Sequence, residues 1–274
     1  IAKLPNEARQ IINSDAKIIN RLGSNALANY LLVNKGVYAT DEDVPVNPAT
    51  GERMKAANNK NNGYVYMQAG DPIWVDVNGD YIIDDKDKVV VGNSQPRLTG
   101  GFNANLRYKS FSINTNFSFT IKRDIINKAL ADRFAAYGNP LSKDLNGSGA
   151  ITPIEAFDFW KEDHIYAKYP NPFDYIRGGT ADHQVNFFRP DQTLFMEDGS
   201  FLKINGVSIS YVLPKKVLDF LRVERVQLNA SVNNIYTFSK YSGVNPENVN
   251  SLGYDVSGGY PNSRNYTMGV SIDF

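Results

Sequence analysis

Apolar and polar residues alternate along several stretches of the chain, most clearly in RNYTMGVSIDF (264–274). Every second residue there is apolar: Tyr266, Met268, Val270, Ile272 and Phe274. The residues between them are Asn, Thr, Gly, Ser and Asp. A period of two predicts a β-strand with one apolar face and one face in contact with water. The same pattern predicts strands at 101–109, 111–121, 200–213 and 226–238, and a weaker one at 28–38.

Two local features refine these strands. Only Lys109-Ser110 separates the strands at 101–109 and 111–121, which predicts a tight hairpin. Within 200–213 the apolar residues fall on even positions before Asn205-Gly206 and on odd positions after this pair. A phase change of this kind, with a glycine at its centre, predicts a β-bulge.

The connections between the strands differ greatly in length. Three of them are long and polar: about 40–99, 122–199 and 239–263. Inside the second, 125–137 has apolar residues at helical spacing and predicts a helix. The stretch 152–163 predicts another, with Thr152 as the N-cap and Pro153 in the first turn.

Composition excludes several classes of protein. Lys plus Arg and Asp plus Glu number 29 each, so there is no overall field to attract nucleic acid. The chain has no cysteine, which excludes disulfides and thiolate metal sites within it. No apolar run approaches the ~18 residues of a transmembrane helix. The alternating strands and frequent turn residues predict an all-β protein.

Strands with one apolar face can pack as a soluble sandwich or close into a barrel whose apolar face contacts lipid. The predicted strands match the roughly 9–11 residues of a tilted membrane strand, whereas soluble strands average about 5–6 residues. Their polar faces are rich in Asn, Ser and Thr, and short turns alternate with long loops. Aromatic residues also lie near the strand ends. Together these features favour an antiparallel transmembrane barrel.

Longer stretches resemble a known family. These stretches are GDPIWVDVNGDYIIDDKDKVVVGNSQPRLTGGFNANLRYKSFSI (70–113), MEDGSFLKINGVSISYVLPKK (196–216), VQLNASVNNIYTFSKYSGVNPE (226–247) and GGYPNSRNYTMGVSIDF (258–274). They are similar, in the same order, to the C-terminal part of the SusC/RagA family of TonB-dependent outer-membrane transporters. The resemblance implies a segment, 1–274, of a barrel of about 22 strands with long extracellular loops. The plug domain of such a protein is not expected within these residues.

The resemblance also implies partners and a location. We expect the remainder of the same barrel to complete the sheet within the lipid bilayer of the bacterial outer membrane. The loops at about 40–99, 122–199 and 239–263 would lie on the cell surface. A SusD-like surface lipoprotein would deliver glycans or oligopeptides, and TonB would act through the missing plug.

The stretch DVNGDYIIDDKD (76–87) has the spacing of a calcium-binding loop. The candidate ligands are Asp76, Asn78, Asp80, the carbonyl of Ile82, Asp84 and Asp87. Tyr81 stands where such loops have glycine, and Asp87 where they have a longer glutamate. The alternative is an exposed acidic turn that pivots at Asn78-Gly79.

Candidate enzymatic groups are few. The chain has two histidines, His164 and His183, and neither belongs to a nucleophile or metal motif. Glu197-Asp198 precedes Gly199 and is interpreted as part of a turn. We therefore do not expect an enzyme.

Other residues have both structural and binding interpretations. Four aromatic residues of the second long loop are able to stack on sugars, although packing of the loop's own core is favoured: Trp160, Tyr166, Tyr169 and Tyr175. The stretch PKKVLDFLRVER (214–225) is interpreted as a solvated turn with a short amphipathic segment. The alternative to a transporter is a soluble, calcium-stabilised β-sandwich that binds carbohydrate and buries Phe117 and Ile272.

Overall fold

The computed structural model describes residues 9–11, 18–21, 28–58, 63–137, 154–174, 185–250, 252–255 and 262–274. These residues fall into two units. The loop unit comprises the described residues within Ile1–Ser94, Ile126–Met196 and Asn250–Val256. The sheet unit comprises those within Gln95–Ile125, Glu197–Val249 and Ser257–Phe274. The connections predicted at about 40–99 and 122–199 supply most of the loop unit.

The described part of the chain is mainly β-structure. The strands are β1 (Arg9–Ile11), β2 (Ile18–Arg21), β3 (Ala28–Leu31), β4 (Asn34–Val37), β5 (Lys55–Asn58), β6 (Gly63–Tyr66), β7 (Pro72–Trp74), β8 (Ile82–Ile83), β9 (Val89–Val90), β10 (Leu98–Tyr108), β11 (Phe111–Ile121), β12 (Asp124–Ile126), β13 (Met196–Asp198), β14 (Phe201–Val212), β15 (Arg225–Ser239) and β16 (Asn265–Asp273). The α-helices are α1 (Lys128–Tyr137) and α2 (Lys215–Leu221). Short 3-10 helices occur at Asp41–Asp43, Asp85–Asp87, Ile154–Ala156 and Thr193–Phe195. Among the residues described, no helix has the length and apolar character needed to cross a membrane.

The five strands with long alternating patterns form one antiparallel sheet in the sheet unit. Its order is β10-β11-β14-β15-β16, which is also their order along the chain. β11 matches the predicted strand 111–121, and the other four are close to their predicted ranges. The predicted hairpin is confirmed, since Tyr108 pairs with Phe111 and Lys109 adopts a φ of 52° in the turn.

The predicted bulge lies at Asn205-Gly206 in β14. Asn205 is the extra residue, because the residues on either side of it pair with consecutive residues of β11. β15 is irregular at the same level, where Asn234 adopts a left-handed φ of 54°. A Cβ on Gly206 would lie 2.8 Å from Oδ1 of Asn233, so glycine permits this close approach. The bulge keeps the apolar residues of β14 on one face of the sheet despite the change of phase.

The loop unit contains short strands in separate small sheets. β3 lies between β2 and β9, β4 pairs with β7, and β5 lies between β6 and β8. The single weak strand predicted at 28–38 is therefore wrong in detail. It is divided into β3 and β4, which have different partners.

Two apolar clusters hold the loop unit together. One consists of Leu32, Tyr38, Val44, Met54, Ala56, Met67, Trp74, Ile83, Val185 and Phe187. The other consists of Ala131, Phe134, Phe159, Tyr169, Phe188 and Phe195. Since the first cluster has members from both of the first two long connections, these connections fold together around a buried core.

The two helix predictions have different outcomes. The predicted helix 125–137 is confirmed from Lys128 onward as α1, where Oδ1 of Asn127 accepts a hydrogen bond from the Leu130 amide at 3.0 Å. The prediction over 152–163 is wrong for its described residues, 154–163, which contain one 3-10 turn and then extended chain. Phe157 and Phe159 pack in the same cluster, and residues two apart share a side in extended chain rather than in a helix.

Candidate functional site

The five-stranded sheet has one face that consists almost wholly of apolar residues. Directly paired residues of an antiparallel sheet point to the same side, so each row across the sheet can be followed from strand to strand. One such row is Leu106, Ile113, Ile209, Ala230 and Met268. Met268 is 86% exposed and Val270 is 62% exposed. A soluble protein rarely leaves an apolar surface of this extent uncovered.

The opposite face of the same sheet is mainly polar. The next row along the strands is Asn105, Asn114, Ser208, Ser231 and Thr267. A further row is Arg107, Ser112, Ser210, Asn229 and Gly269. A concavity of about 590 Å³ lies on this face, and most of the side chains that line it are hydroxyls and carboxamides. The sheet is thus able to separate an apolar medium from water.

Aromatic side chains mark both ends of the apolar face. At one end Tyr108, Phe111 and Tyr211 form adjacent members of a row, with the last two ring centroids 4.4 Å apart. At the other end the rings of Tyr236 and Phe238 lie 4.6 Å apart. Aromatic residues prefer the boundary between hydrocarbon and water, so their placement is typical of membrane strands.

The acidic loop 76–87 is closed by its own backbone amides. Carboxylate oxygens of Asp76 accept hydrogen bonds from the amides of Gly79 and Tyr81, at 2.7 and 2.8 Å. The other side-chain oxygens also accept hydrogen bonds from backbone amides. Asn78 accepts from Asp80, Asp80 from Ile82, Asp84 from Lys86, and Asp87 from Val77 and Asp84. Tyr81, at the usual glycine position, adopts a left-handed φ of 62°. The sharp turn that the spacing implies is therefore present despite the substitution.

The charges of this loop do not gather around one point. Within the described residues, no three acidic or histidine side chains come together as ligands for a single metal ion. Asp87 is buried, and burial raises the pKa of its carboxyl against the amide hydrogen bonds from Asp84 and Val77, which lower it. The carbonyl of Ile82 belongs to the short strand β8. Calcium binding by Asp76, Asn78, Asp80, Ile82, Asp84 and Asp87 stays a prediction.

Comparison with known proteins identifies relatives of the chain. No protein-family model matches it. It is 26% identical over 216 residues to TonB-dependent receptor P3 of Formosa agariphila, covering 75% of this chain and 19% of that protein. It is 26% identical over 225 residues to TonB-dependent receptor SusC of Bacteroides thetaiotaomicron, covering 78% of this chain and 19% of SusC. The chain is thus similar to SusC-type TonB-dependent receptors.

Solved structures share the fold of this chain. The structure of the RagAB peptide transporter matches with a TM-score of 0.61 and 19% identity, over 96% of this chain and 24% of that chain. The open-open state of the RagAB peptide importer matches with a TM-score of 0.58 and 18% identity, over the same shares. The chain spans about a fifth of the length of the curated relatives that it matches. The open sheet of the described residues is consistent with one part of a larger barrel.

Two of the four candidate aromatic residues of the second long loop pack inside the loop unit. Tyr169 is buried in a cluster with Phe134, 4.8 Å between ring centroids. Trp160 is also buried, and its Nε1 donates a hydrogen bond to the carbonyl of Ala39 at 3.2 Å. Tyr166 is exposed, and Tyr175 lies outside the described residues. Core packing is confirmed for the two buried rings.

The other candidate groups make local contacts. Nε2 of His164 lies 2.7 Å from Oδ1 of Asp158 at the surface, and this hydrogen bond lowers the pKa of Asp158. His183 lies outside the described residues. Glu197 accepts hydrogen bonds from the amide and hydroxyl of Ser242, both at 2.7 Å. Hydrogen bonds from Ser200 lower the pKa of Asp198, next to the turn into β14. These carboxylates are engaged in hydrogen bonds with other groups of the protein.

A buried ion network in the loop unit was not predicted. Nζ of Lys88 lies 2.7 Å from Oδ2 of Asp191, and both side chains are almost wholly buried. Arg189 donates two further hydrogen bonds to Asp191, both at 2.6 Å. Burial raises the pKa of Asp191, but Arg189 and Lys88 outweigh it and hold the pKa well below its usual range. Lys88 is far from Asp191 in sequence, so no local motif predicts their pairing.

Proposed function

We propose that the chain is part of the wall of an outer-membrane TonB-dependent transporter. Its apolar sheet face lies against lipid, and its polar face lines a water-filled lumen. The observation that supports this most strongly is the separation of apolar and polar rows across all five strands. Membrane barrels require this pattern, because the bilayer accepts apolar side chains and the lumen holds water.

The remainder of the same barrel completes the sheet in this proposal. β10 and β16 are its outer strands, and each has one edge without a strand partner in the described part of the chain. Unpaired amides and carbonyls are very costly in hydrocarbon, where no water satisfies them. Further strands of the transporter therefore pair with both edges, and closure of the barrel leaves no free edge.

The transported substrates are glycans or oligopeptides. Support comes from two relatives: one is named SusC, and the RagAB structures are described as a peptide transporter and a peptide importer. A SusD-like surface lipoprotein would deliver the substrate, and TonB would supply energy through a plug outside these residues. The loop unit would then lie on the cell surface, where a partner and a substrate can reach it.

A soluble β-sandwich fits the observations less well. It requires a core that covers Phe117 and Ile272, yet Ile272 is 47% exposed and Phe117 is only partly buried. The relatives are named as receptors and transporters rather than as enzymes, and we propose no enzymatic activity.

Native extraction tests the proposed function. Membranes that contain the full polypeptide would be dissolved in a mild detergent, and the proteins that co-purify would be identified by mass spectrometry. We expect release only in detergent, together with a surface lipoprotein of the SusD type. Recovery of the polypeptide as a monomer from the soluble fraction would contradict the proposal.

A further inference from the structure

The helix α2 connects β14 and β15 and is amphipathic. Successive residues of an α-helix are rotated by about 100°, so positions three and four apart share a side. Its apolar residues gather on one side: Val217, Leu218, Phe220 and Leu221. Lys215, Lys216, Asp219 and Arg222 occupy the other side.

The apolar side of α2 is exposed to a degree that an aqueous setting does not favour. Phe220 is 85% exposed, and Val217 and Leu221 are exposed as well. Removing apolar surface from water is favourable, so covering these side chains stabilises the protein. An isolated helix of this length is also unstable in water, and its apolar side is the natural place for stabilising contacts.

Added barrel strands do not provide this cover. α2 joins β14 and β15, which already have β11 and β16 as outer neighbours. Further strands can join the sheet only at the free edges of β10 and β16. The material that covers α2 must therefore be something other than the missing strands.

The surroundings of α2 match a lipid interface. It lies at the same end of the sheet as the β10–β11 turn, since the Val212 amide donates to the carbonyl of Ser110 at 3.0 Å. That end carries the aromatic row of Tyr108, Phe111 and Tyr211. The helix and its C-cap residue Arg222 together carry three cationic side chains and one carboxylate. Phospholipid head groups offer phosphates at the depth where an aromatic row ends.

We infer that α2 lies in the plane of the membrane surface, with its apolar side at the boundary of the acyl chains. Lys215, Lys216 and Arg222 then contact the phosphates of the phospholipid head groups. Interfacial helices bind membranes by this combination of an apolar face and cationic flanks. This inference rests on the proposed barrel function, and it anchors one end of two adjacent wall strands to the bilayer surface.

Site-directed spin labelling tests the inference. Single cysteines would replace Phe220, Asp219, Val270 and Ser271 in the full polypeptide, reconstituted in vesicles of phosphatidylethanolamine and phosphatidylglycerol. The 274 residues contain no cysteine, so each label is unique within them. The accessibility of each nitroxide to oxygen, which concentrates in lipid, and to a water-soluble nickel chelate would be measured by power saturation.

We expect the ratio of oxygen to nickel accessibility to be several-fold higher for the label at Phe220 than for the label at Asp219. The labels at Val270 and Ser271 test the barrel assignment separately. We expect the label at Val270 to be accessible to oxygen and the label at Ser271 to be accessible to nickel. The inference about α2 is wrong if the label at Val270 contacts lipid while the label at Phe220 contacts water. It is equally wrong if protein shields the Phe220 label from both reagents. In either case the barrel assignment is unaffected. If Val270 itself contacts water, the proposed function fails and the inference with it.

The cationic side of α2 has its own test. Replacement of phosphatidylglycerol by a zwitterionic lipid should lower the ratio of oxygen to nickel accessibility for the label at Phe220. The double variant Lys215→Gln and Lys216→Gln should reduce that shift, whereas Lys240→Gln, beyond the far end of β15, should leave it unchanged. A shift that is the same in all three proteins would overturn the role of the two lysines.

Discussion

The two units use apolar residues in opposite ways. In the loop unit, rings such as Phe134 and Trp74 are fully buried inside clusters. In the sheet unit, side chains such as Met268 and Leu106 point outward and are exposed. The loop unit is built like a protein that folds in water, and the sheet unit like one whose surroundings are apolar. This contrast explains why one chain carries both buried cores and an uncovered apolar face.

The largest expected effect comes from removing a ring inside the loop unit. Phe134 contacts Phe157, Phe159 and Tyr169, with ring centroids 4.7–4.8 Å apart. We expect Phe134→Ala to lower the free energy of unfolding of this unit by about 3–5 kcal/mol, through lost contacts and a cavity. Local hydrogen exchange in the full protein would measure this.

The exposed Tyr166 provides the control for that change. Tyr166→Ala should alter the same free energy by no more than about 0.5 kcal/mol, since surface substitutions away from special features have small effects. If hydrogen exchange in the loop unit responds equally to both substitutions, the unit does not have the core described above.

The sheet unit should respond to charge rather than to cavities. Val270→Arg on the apolar face should reduce stability in the membrane by about 2–4 kcal/mol, because lipid-facing arginine near the midplane is costly. Ser271→Arg, its neighbour on the polar face, should have a much milder effect. Heat-dependent migration on gels after reconstitution measures the folded fraction. Equal tolerance of both variants, or of the matched pair Ile113→Arg and Asn114→Arg, would remove the barrel assignment.

The difference between the units also determines what the sequence predicts. Each long strand carries its own alternating signal, and strands β11, β14 and β15 lie near their predicted ranges for that reason. The bulge at Asn205-Gly206 is equally local, since it shows as a change of phase. Loop-unit strands such as β8 have only two residues and pair with distant partners, so no periodicity identifies them. The indole of Trp74, for example, donates to Gln192, which lies 118 residues further along.

The features of the candidate site also differ in how far the sequence predicts them. The two faces of the sheet are predicted from alternation alone, and rows such as Asn105–Asn114–Ser208 follow once the strand order is known. The spacing of 76–87 predicts calcium ligands, yet it contains no information on where each carboxylate points. The buried pair of Lys88 and Asp191 depends on tertiary contacts, and so it is found only in the structure.

Alkaline pH should act on the loop unit through Tyr38. Burial, followed by the nearby Asp71 carboxylate, raises the pKa of Tyr38 to about 12, whereas an unfolded tyrosine has a pKa of about 10. Stability from the neutral phenol is complete below a pH of about 10 and is lost as the pH rises toward about 12, a difference of roughly 3 kcal/mol. Hydrogen exchange or proteolysis of the loop unit across this range would measure the loss.

Tyr38→Phe should flatten that alkaline decline, because phenylalanine has no proton to lose. The phenol donates a weak hydrogen bond of 3.5 Å to the Met54 sulfur, so the substitution should cost little stability at neutral pH. Tyr64→Phe, at an exposed position, is the control and should keep the wild-type profile. An unchanged decline in the Tyr38 variant would assign the pH dependence to another group.

The smallest expected effect concerns calcium and the loop 76–87. If the loop binds the ion, calcium at ten times its dissociation constant should stabilise the loop unit by about 1.4 kcal/mol over a chelator-treated sample. Asp76→Asn should abolish this gain, because one carboxylate charge is lost while one oxygen can still accept an amide hydrogen bond. Asp43→Asn removes a carboxylate that caps a different turn and should preserve the gain. Calorimetric titration that detects no heat and no stabilisation in the wild-type protein would leave this loop as a turn closed by its own amides.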